Sequence, residues 1–304
     1  MSGADQAQQK CGVIAIVGRP NVGKSTLMNR ILGEKLSITS RKPQTTRHRL
    51  LGIKTMGSTQ MVYVDTPGIH SNKETAMNRY LNRAATGSIE DVDMILFVVD
   101  GEQWNEEDSG VIELLKRQQC PVVAVINKVD QIADKELLLP ILSTLAERYP
   151  FTEIVPLSAL KGKGVDRLEQ RLESLLPDGP HIYEEDQITD RSERFLVAER
   201  IREKLTRQLG QELPYALTVE IEQFKEDGKM THIAAVIWVE RAGQKGIVIG
   251  KKGARLRSVG KEAREELEEL LQRKIFLQLW VKVRAGWSDD DRALQSLGYK
   301  EELH

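Results

Sequence analysis

The sequence predicts an α/β protein with two domains, on three observations. Its 304 residues are more than one hydrophobic core usually organises. Through the first part of the chain, short apolar runs alternate with stretches of helical spacing, which is typical of a doubly wound and mostly parallel sheet. After a segment rich in turn residues, the order changes to helix, strand, strand, helix, helix, strand, which indicates a smaller α+β domain.

Five apolar runs predict the strands of the first domain: GVIAIVG, QMVYVDTPG, DMILFVVD, PVVAVINKVD and TEIVPLSA. Helical spacing appears in STLMNRIL after the first run and in SGVIELLKRQ before the fourth. The segment RLLGIKTMGSTQMVYVDT contains two runs that are joined only by MGST. Since that connection is too short for a crossover helix, we expect an antiparallel hairpin at the edge of the sheet.

The boundary between the domains is predicted where the helical stretch GVDRLEQRLESLL stops at Pro177. Residues 178–190 then bring turn residues, prolines and acids in succession, as a linker does. We therefore expect a disordered polar leader at 1–10, a first domain at 11–177 and a second domain at 191–304. The elements of the second domain are the helix ERFLVAERIREKLTRQLG, the strands YALTVEIEQF and MTHIAAVIWVER, a helical region split by GKKG, and the strand KIFLQLWVKV.

The composition is that of a soluble globular protein, with 29% charged and 40% apolar residues. Because the net charge is only −1, affinity for nucleic acid requires a local basic patch. Cys11 and Cys120 border apolar runs, and we expect both to be reduced packing residues. The leader lacks the apolar core of a signal peptide, and no segment has the roughly 18 apolar residues of a membrane span. We therefore expect a cytoplasmic protein.

The stretch GRPNVGKST, Gly18 to Thr26, follows the first strand and fits the pattern G-x-x-x-x-G-K-[ST]. In such a loop, glycines let backbone N–H groups approach phosphate oxygens. We expect Lys24 to add a charge near the β and γ phosphates and the Ser25 hydroxyl to bind Mg²⁺. A glycine-rich turn without a ligand is the alternative. The strand before the loop and the helix after it favour a phosphate site.

The fourth strand ends in NKVD, which distinguishes between nucleotides. Guanine presents two adjacent donors that the carboxylate of Asp130 can accept, whereas adenine has no such pair. We expect Asn127 to connect this segment to the phosphate loop, the stem of Lys128 to lie along the base, and a backbone amide of Ser158–Leu160 to meet the base carbonyl. Alone, NKVD is equally a common turn, but after a phosphate loop it indicates a guanine site.

The motif DTPG, Asp65 to Gly68, ends the second strand of the hairpin. We expect Asp65 to reach Mg²⁺ through water and the Gly68 amide to sense the γ-phosphate. The polar stretch SRKPQTTRHR before it is either a plain linker or a switch segment that becomes ordered when a threonine binds Mg²⁺. We favour the switch, and Thr46 over Thr45 as the ligand.

In this order, GRPNVGKS, the TTR threonines, DTPG, NKVD and SAL resemble the five signature motifs of translation-factor-class GTPases, over residues 12 to about 176. The resemblance implies a Ras-like P-loop fold, GTP hydrolysis with Mg²⁺, and switch loops that respond to the γ-phosphate. The implied catalytic residues are Lys24, Thr46, Gly68 and Asn21, and the implied Mg²⁺ ligands are Ser25, Thr46 and Asp65. The implied contacts to GTP or GDP are Gly18, Arg19, Pro20, Asn21, Val22, Gly23, Lys24, Ser25, Thr26, Asp65, Thr66, Pro67, Gly68, Asn127, Lys128, Asp130, Ser158, Ala159 and Leu160.

One position departs from Ras-like relatives, in which a glutamine after the DxxG glycine orients the attacking water. Here that residue is Ile69, which has no hydrogen-bonding side chain, so we expect slow intrinsic turnover. Asn21 resembles the asparagine with which several GTPases of the TrmE and Era group hold K⁺ beside the phosphates. The alternative is that Asn21 only stabilises the turn of the loop.

The stretch IVIGKKGARLRSVG, residues 247–260, resembles the V-I-G-x-x-G core of a type II KH domain. This implies a clamp for RNA backbone beside a groove for about four bases. GKKG alone is equally an exposed turn, but Arg241–Lys261 contains seven Lys and Arg and no acid. The implied RNA-binding residues are Ile249, Gly250, Lys251, Lys252, Gly253, Arg255 and Arg257. We expect Trp238, Trp280 and Trp287 to be packing residues rather than platforms for base stacking.

A GTPase domain followed by a type II KH domain resembles the Era family, and TDRSERF, ELPY and LWVKVRAGW extend the resemblance over nearly the whole chain. It implies binding to the 3′ region of 16S ribosomal RNA, a role in small-subunit assembly, and peripheral association with the cytoplasmic face of the bacterial inner membrane. We expect a monomer. Two alternatives are a membrane-associated signalling GTPase for which RNA is secondary, and a non-enzymatic RNA-binding module that holds GTP as a structural ligand.

Overall fold

The computed structural model describes residues 9–40, 42, 44–69, 75–132, 134–210 and 216–299. Within these ranges the strands form two sheets, one of six strands and one of three. Four parts of the sequence predictions lie outside the described residues: 1–8 of the leader, Arg41 and Pro43 of the switch segment, the ELPY motif, and 300–304 of the second domain.

The first sheet has the strand order β2-β3-β1-β4-β5-β6. Neighbouring strands are parallel except β2 and β3, which form an antiparallel hairpin at the edge. The five predicted strands and the predicted hairpin are therefore confirmed. The strands are Lys10–Val17 (β1), Leu50–Met56 (β2), Thr59–Asp65 (β3), Met94–Asp100 (β4), Val122–Asn127 (β5) and Glu153–Pro156 (β6).

The central strands of this sheet are buried on both faces, which is why they appear in the sequence as continuous apolar runs. Helix α3 begins with a capping box between Asn105 and Asp108. Helices α2 and α4 are not among the elements expected from the sequence. The helices in this part of the chain are Lys24–Leu32 (α1), Ala76–Gly87 (α2), Glu106–Leu115 (α3), Leu138–Ala146 (α4) and Val165–Leu175 (α5).

The second sheet has the order β7-β8-β9, with β7 and β8 antiparallel and β8 and β9 parallel. The predicted order of elements is confirmed, and a short helix α9 follows it. The elements are Glu193–Gln208 (α6), Leu217–Asp227 (β7), Met230–Val239 (β8), Ala242–Ile249 (α7), Ala254–Leu271 (α8), Lys274–Val283 (β9) and Asp291–Ser296 (α9).

The three tryptophans differ in their surroundings. Trp287 is completely buried, so the packing prediction is confirmed there. Trp238 is partly buried and donates its indole N–H to Glu220 over 2.7 Å. Trp280 is 43% exposed, and the packing prediction is wrong for it. The reason is strand alternation: its neighbours Leu279 and Val281 face the apolar core, which turns Trp280 to the opposite face.

The chain divides into two compact units. The first comprises Met1–Ser37, Thr46–Asn72 and Leu81–Asp190, and the second comprises Ile38–Thr45, Lys73–Tyr80 and Arg191–His304. The second unit therefore includes two stretches from the N-terminal part of the chain. The first of them ends directly before Thr46, a predicted Mg²⁺ ligand, and the second begins five residues after Gly68 of the DTPG motif.

Cys11 and Cys120 are both free thiols, as expected. Burial raises the pKa of each thiol, which is the behaviour of packing cysteines rather than of reactive ones. Of the helices that lie in the described ranges, none is long and apolar enough to cross a lipid bilayer.

Candidate functional site

The predicted nucleotide motifs lie at the carboxyl ends of parallel strands in the first unit. β1 ends directly before Gly18, β3 ends at Asp65 and β5 ends at Asn127, while Ser158–Leu160 follows β6. Parallel sheets bind ligands at this edge. The topology therefore brings together four motifs that are far apart in the sequence.

The two glycines of the phosphate loop are required by close contacts. At Gly18, where φ is 150°, a Cβ would lie 2.3 Å from the carbonyl oxygen of Val98. At Gly23, where φ is 102°, a Cβ would lie 2.3 Å from Nδ2 of Asn127. The loop is thus held tightly against its neighbours, and α1 begins at Lys24 with its N-terminal N–H groups directed at the loop.

Lys24 is buried beneath the loop, with 6% of its surface exposed. Its Nζ donates to the carbonyl oxygens of Gly18 and Arg19 over 2.8 and 2.9 Å. Burial lowers the pKa of Lys24 to about 8, and the nearby carboxylate of Asp65 acts in the opposite direction. An ammonium group held by two loop carbonyls is positioned to exchange them for phosphate oxygens, which are stronger partners for a cation.

The three predicted Mg²⁺ ligands lie together. Ser25 Oγ donates to Asp65 Oδ2 over 2.6 Å and lies 2.8 Å from Thr46 Oγ1. Ser37, which no motif of the sequence indicated, donates to the same Asp65 oxygen over 2.9 Å. Burial raises the pKa of the Asp65 carboxyl, and its Oδ1 is buried without a hydrogen-bond partner in the described part of the chain. Hydroxyl and carboxylate oxygens around an unsatisfied buried oxygen fit a hard cation such as Mg²⁺.

The neighbouring Thr45 has a different orientation. Its Oγ1 donates to the carbonyl oxygen of Lys42 over 2.7 Å and lies 2.6 Å from Oγ of Ser40. The Thr45 hydroxyl is therefore used within its own turn. Of the two threonines, the geometry favours Thr46 as the ligand.

Gly68 lies against the phosphate loop, since a Cβ there would be 2.7 Å from the backbone nitrogen of Pro20. Thr66 anchors the same segment, because its Oγ1 donates to the carbonyl oxygen of Ile16 over 2.9 Å. Ile69 packs against the apolar core of the sheet. The residue after Gly68 is thus a packing residue, and no polar side chain follows Gly68 at the position of the Ras glutamine.

Asn127 connects the NKVD segment to the phosphate loop, as expected from the sequence. Its Nδ2 donates to the carbonyl oxygen of Val22 over 2.8 Å. Its Oδ1 accepts from the backbone amides of Lys128 and Ala159 over 2.8 and 3.0 Å. One buried amide side chain therefore fixes three segments of the site.

The side chains of Lys128 and Asp130 differ in whether another residue holds them in place. Lys128 has a φ of 63°, and its Nζ donates to Asp100 Oδ2 over 2.6 Å, which holds the stem of the side chain in place. Asp130 is exposed, and its carboxylate has no hydrogen bond or ion pair with any other described residue. Both carboxylate oxygens are therefore available to the donors of a base.

The segment Ser158–Leu160 has one backbone amide to offer. The Ser158 amide donates to a carbonyl of the following turn over 2.9 Å, and the Ala159 amide is occupied by Asn127. The Leu160 amide makes no hydrogen bond within the described ranges. Arg30 holds this segment by donating to the carbonyl oxygens of Ala159 and Leu160 over 3.1 and 2.7 Å.

Two further side chains lie on the outside of the phosphate loop. Arg19 donates to Asp108 Oδ2 over 3.0 Å and to the carbonyl oxygen of Gln103 over 3.0 Å. Asn21 is exposed and has a φ of 65°. Asparagine is among the residues that adopt this left-handed region most readily. The turn itself therefore accounts for an asparagine here.

Three residues that order the site were not expected from the sequence: Ser37, Asp100 and Arg30. Asp100 is the last residue of β4 and accepts a hydrogen bond from Lys128. Its position at the carboxyl end of a predicted strand could have identified it as a site residue. Ser37 and Arg30 act through contacts across long stretches of chain, which no local pattern indicates.

The GKKG loop connects α7 to α8 in the second unit. Gly250, Lys252 and Gly253 all have positive φ, at 73°, 50° and 75°. A Cβ on Gly250 would lie 2.8 Å from Cβ of Arg255, so this turn requires glycine. Both lysines are exposed. The remaining predicted RNA-binding residues, Ile249, Arg255 and Arg257, lie at the end of α7 and in the first turn of α8.

The stretch Ile38–Thr45 of the second unit is bound to α6. The completely buried Glu203 accepts the backbone N–H of Thr39 over 2.9 Å. Arg202, which is also buried, donates to the carbonyl oxygen of Thr45 over 2.5 Å. The segment that leads into the predicted Mg²⁺ ligands is thus fixed by a helix of the second unit.

Two family models match the chain. A model described as a 50S ribosome-binding GTPase matches residues 13–128, and a KH domain model matches residues 212–288. The first match contains the phosphate loop, DTPG and the start of NKVD, and the second contains the GKKG loop.

Curated relatives match over nearly the whole chain. GTPase Era of Ectopseudomonas mendocina is 57% identical over 295 residues, which are 97% of this chain and 99% of that protein. GTPase Era of Marinobacter nauticus is 57% identical, over 98% of this chain and 97% of that protein. GTPase Era of Azotobacter vinelandii is 58% identical, over 96% and 97% of the two chains.

Two solved structures are similar over the same extent. One is Era in complex with MgGDPNP and nucleotides 1506–1542 of 16S ribosomal RNA, with a TM-score of 0.93 and 41% identity over 96% of this chain and 99% of that chain. The other is a variant of Aquifex aeolicus Era bound to GDP·AlF₄⁻, with the same TM-score of 0.93, identity of 41% and coverage of 96% and 99%.

Proposed function

The chain belongs to the Era family of GTPases, and we propose that it is a GTP-hydrolysing switch that binds the 3′ region of 16S ribosomal RNA and assists assembly of the small ribosomal subunit. The observation that carries the proposal is the match, over 96% of this chain, to an Era that holds both MgGDPNP and nucleotides 1506–1542 of 16S ribosomal RNA. The two candidate loops of this chain supply one site for each ligand.

In the proposed nucleotide site, the backbone N–H groups of Gly18–Thr26 and the ammonium of Lys24 bind the phosphates of GTP. Ser25, Thr46 and Asp65 hold Mg²⁺, and their convergence around the unsatisfied Asp65 oxygen supports this role. Mg²⁺, when bound, supplies charge that neutralises the β and γ phosphates. The amide of Gly68 donates a hydrogen bond to the γ-phosphate when GTP is bound, because the Gly68 backbone lies against the phosphate loop.

In the proposed base site, the free carboxylate of Asp130 accepts the two adjacent donors of guanine. Lys128 is held by Asp100, which supports a place for its stem along the base. The amide of Leu160 donates to the base carbonyl, since it is the unoccupied amide of its segment.

We propose that the attacking water is not positioned by the side chain that follows Gly68. The packing of Ile69 against the apolar core supports this. The chain therefore hydrolyses GTP slowly without a partner. Asn21 would hold K⁺ beside the phosphates, where the ion would supply additional positive charge. This role of K⁺ rests on the family resemblance.

The proposed RNA site is the GKKG loop, in which the backbone of Gly250–Gly253 approaches an RNA phosphate and Lys251 and Lys252 supply charge. We further propose that the nucleotide state controls RNA binding. The attachment of Ile38–Thr45 to α6 supports this, because a change at Thr46 acts directly on a segment that Arg202 holds.

The domain boundaries also remain proposals: a leader at 1–10, a GTPase domain at 11–177, a linker at 178–190 and a type II KH domain at 191–304. We propose a monomer that works in the cytoplasm with peripheral attachment to the inner membrane. Sedimentation of the purified chain with vesicles of anionic lipid at physiological salt tests the membrane part independently.

The experiment that tests the proposed function is a crosslink map of RNA. The chain is loaded with GDPNP or GDP and crosslinked to RNA within immature small-subunit particles. We expect crosslinks near the 3′ end of 16S ribosomal RNA, and more of them with GDPNP. Crosslinks scattered over the RNA in both states would contradict the proposal. Single-turnover hydrolysis with Mg²⁺ and K⁺ present separately tests whether GTP is a substrate rather than a structural ligand.

A further inference from the structure

The helices α6 and α8 pack against one face of the second sheet, and we call the opposite face the open face. Core residues of β8 and β9 such as Ile233, Ile237 and Val281 face α6 and α8. Because side chains alternate along strands and paired residues share a face, the register defines the opposite side. The residues of the open face used below are Glu220, Gln223, Lys225, His232, Ala234, Val236, Trp238, Phe276, Gln278, Trp280 and Lys282.

Two large aromatic side chains of the open face are exposed to solvent. Phe276 is 47% exposed and Trp280 is 43% exposed, although both belong to a regular strand in a packed domain. They lie four residues apart on β9, so they share a face about 13 Å apart along the strand. The ring of His232 lies 5.4 Å from the ring of Phe276 and extends the aromatic surface onto β8.

The polar side chains at the two ends of the open face differ in whether they have partners. At the Trp238 end, these groups are paired: Trp238 donates to Glu220 over 2.7 Å, and the ammonium of Lys282 lies 5.6 Å from the Trp238 ring centroid. At the Phe276 end, the side chains of Gln223, Lys225, His232 and Gln278 make no hydrogen bond or ion pair within the described ranges.

These unpaired groups converge on one cavity of about 190 Å³, far more space than a single water needs. It is lined by Gln223, Lys225, Asp227, His232, Ile233, Ala234 and Gln278. Two carboxamides, an imidazole, an ammonium and a carboxylate offer donors and acceptors in one place. Such a set of groups can form hydrogen bonds with the edge of a nucleic-acid base, and the aromatic ring of Phe276 lies directly beside it.

We propose that the open face is a second site for unpaired RNA, in which bases stack on Phe276 and Trp280 and the edge of one base enters the cavity. The inference rests on the proposed RNA-binding function, and the match to a KH domain model covers all of these residues. Exposed aromatic residues on an open sheet are one of the established ways in which proteins stack unpaired bases.

Protein surface is a less suitable occupant than RNA. The core of a protein interface is more apolar than the rest of the surface. Here the two exposed rings are separated by the polar side chain of Gln278, and Ala234, which pairs with Gln278, and Val236, which pairs with Trp280, are buried. Lys225, which is exposed and has no acidic partner in the described ranges, provides charge for an RNA phosphate.

The test compares two double variants of the full chain, one that removes both aromatic rings and one that keeps them. Phe276→Leu with Trp280→Leu keeps apolar surface but removes both aromatic faces, whereas Phe276→Tyr with Trp280→Phe keeps them. The probe is an RNA of 37 nucleotides, 1506–1542 of 16S ribosomal RNA, which is the RNA in the similar Era complex. We expect the leucine pair to lose about tenfold or more in affinity and the aromatic pair to remain within about twofold of the wild type.

A second measurement locates the contact. The same RNA carrying photoreactive 4-thiouridine is crosslinked to the wild type and to Lys251→Asp with Lys252→Asp, and the crosslinked peptides are identified. We expect crosslinks in Lys274–Val283 that persist in the lysine variant. Unchanged affinity of the leucine pair, or no crosslink to this strand, would overturn the inference while leaving the proposed function intact. Failure of the wild type to bind the RNA would instead overturn the proposed function.

A third outcome identifies a protein occupant. If the leucine pair binds the isolated RNA like the wild type but binds assembled small-subunit particles more weakly, the open face contacts protein, and the inference is wrong. Thermal unfolding of both pairs confirms that these exposed substitutions leave the fold in place.

Discussion

The phosphate loop and the GKKG loop have the same local construction and opposite surroundings. In each, a glycine with positive φ, Gly23 or Gly253, directly precedes a helix, and the lysines lie within two residues of that glycine. Yet Lys24 is 6% exposed and held by two carbonyl oxygens, whereas Lys251 and Lys252 are exposed. A buried, fixed ammonium suits one small ligand in one geometry, and exposed lysines suit a polymer whose backbone varies.

The largest expected effect comes from removing the buried charge. Lys24→Ala is expected to lower GTP hydrolysis by about 10³-fold and to weaken nucleotide binding, because the site loses its fixed cation for the phosphates. Single-turnover hydrolysis and nucleotide titration measure both effects. Thermal unfolding is the control for the fold. Full turnover in a folded variant would show that the burial of Lys24 has no catalytic role.

Reversing the exposed charges tests the other half of the comparison. Lys251→Asp with Lys252→Asp is expected to lower RNA affinity by about 10²-fold or more, because two attractive interactions become repulsive. The dependence of log affinity on log salt should become shallower by about 0.7 for each RNA phosphate that the loop no longer neutralises. GTP hydrolysis without RNA should barely change.

The matched control for this pair is Lys116→Asp with Arg117→Asp, which makes the same change of charge at exposed residues of the first unit. The control should bind RNA within a few-fold of the wild type. Equal losses in the two pairs would mean that bulk charge, and not the GKKG loop, binds the RNA.

A change of base specificity tests whether the free carboxylate of Asp130 reads guanine. Asp130→Asn is expected to weaken GTP binding by about 2–3 kcal/mol and to favour xanthosine triphosphate, whose base carries a carbonyl in place of the exocyclic amine. Competition binding with the two nucleotides measures the shift. Unchanged affinity for GTP, with no gain for the xanthine nucleotide, would exclude this segment from base recognition.

The smallest effects are expected at Ile69, which follows Gly68, and at Asn21, which lies on the outside of the phosphate loop. Ile69→Ala should retain most of the hydrolysis and cost about 1 kcal/mol of stability, since Ile69 is a partly buried packing residue. Asn21→Ala should remove any advantage of K⁺ over Na⁺. Hydrolysis rates of the wild type and both variants in the two salts provide the measurement. Identical wild-type rates in K⁺ and Na⁺ would remove the basis for a K⁺ role.

Much of the fold and the nucleotide site follows from local patterns. Strands buried on both faces are visible as apolar runs, and the MGST connection was too short to be anything but a hairpin. The motifs meet because parallel strands end at one edge, which the order of elements already implies. Asn127 was correctly expected to connect to the phosphate loop.

Contacts between distant residues were not predictable in the same way. Ser37 donates to Asp65 and Arg30 holds the segment at Ala159, and neither lies in a motif. Local patterns likewise do not indicate that Ile38–Thr45 belongs to the second unit. Trp280 and Trp287 are close in sequence, but Trp280 is exposed and Trp287 is buried. Strand alternation determines the exposure of Trp280, and the turn after β9 determines the burial of Trp287.

We propose that the nucleotide bound in the first unit controls the affinity of the second unit for RNA. The direct test is the affinity of the wild type for the RNA of nucleotides 1506–1542, measured at one salt concentration with GDPNP and with GDP. We predict binding that is tighter by about 5- to 150-fold with GDPNP, the range of typical coupling energies. Equal affinities in the two states would contradict the account.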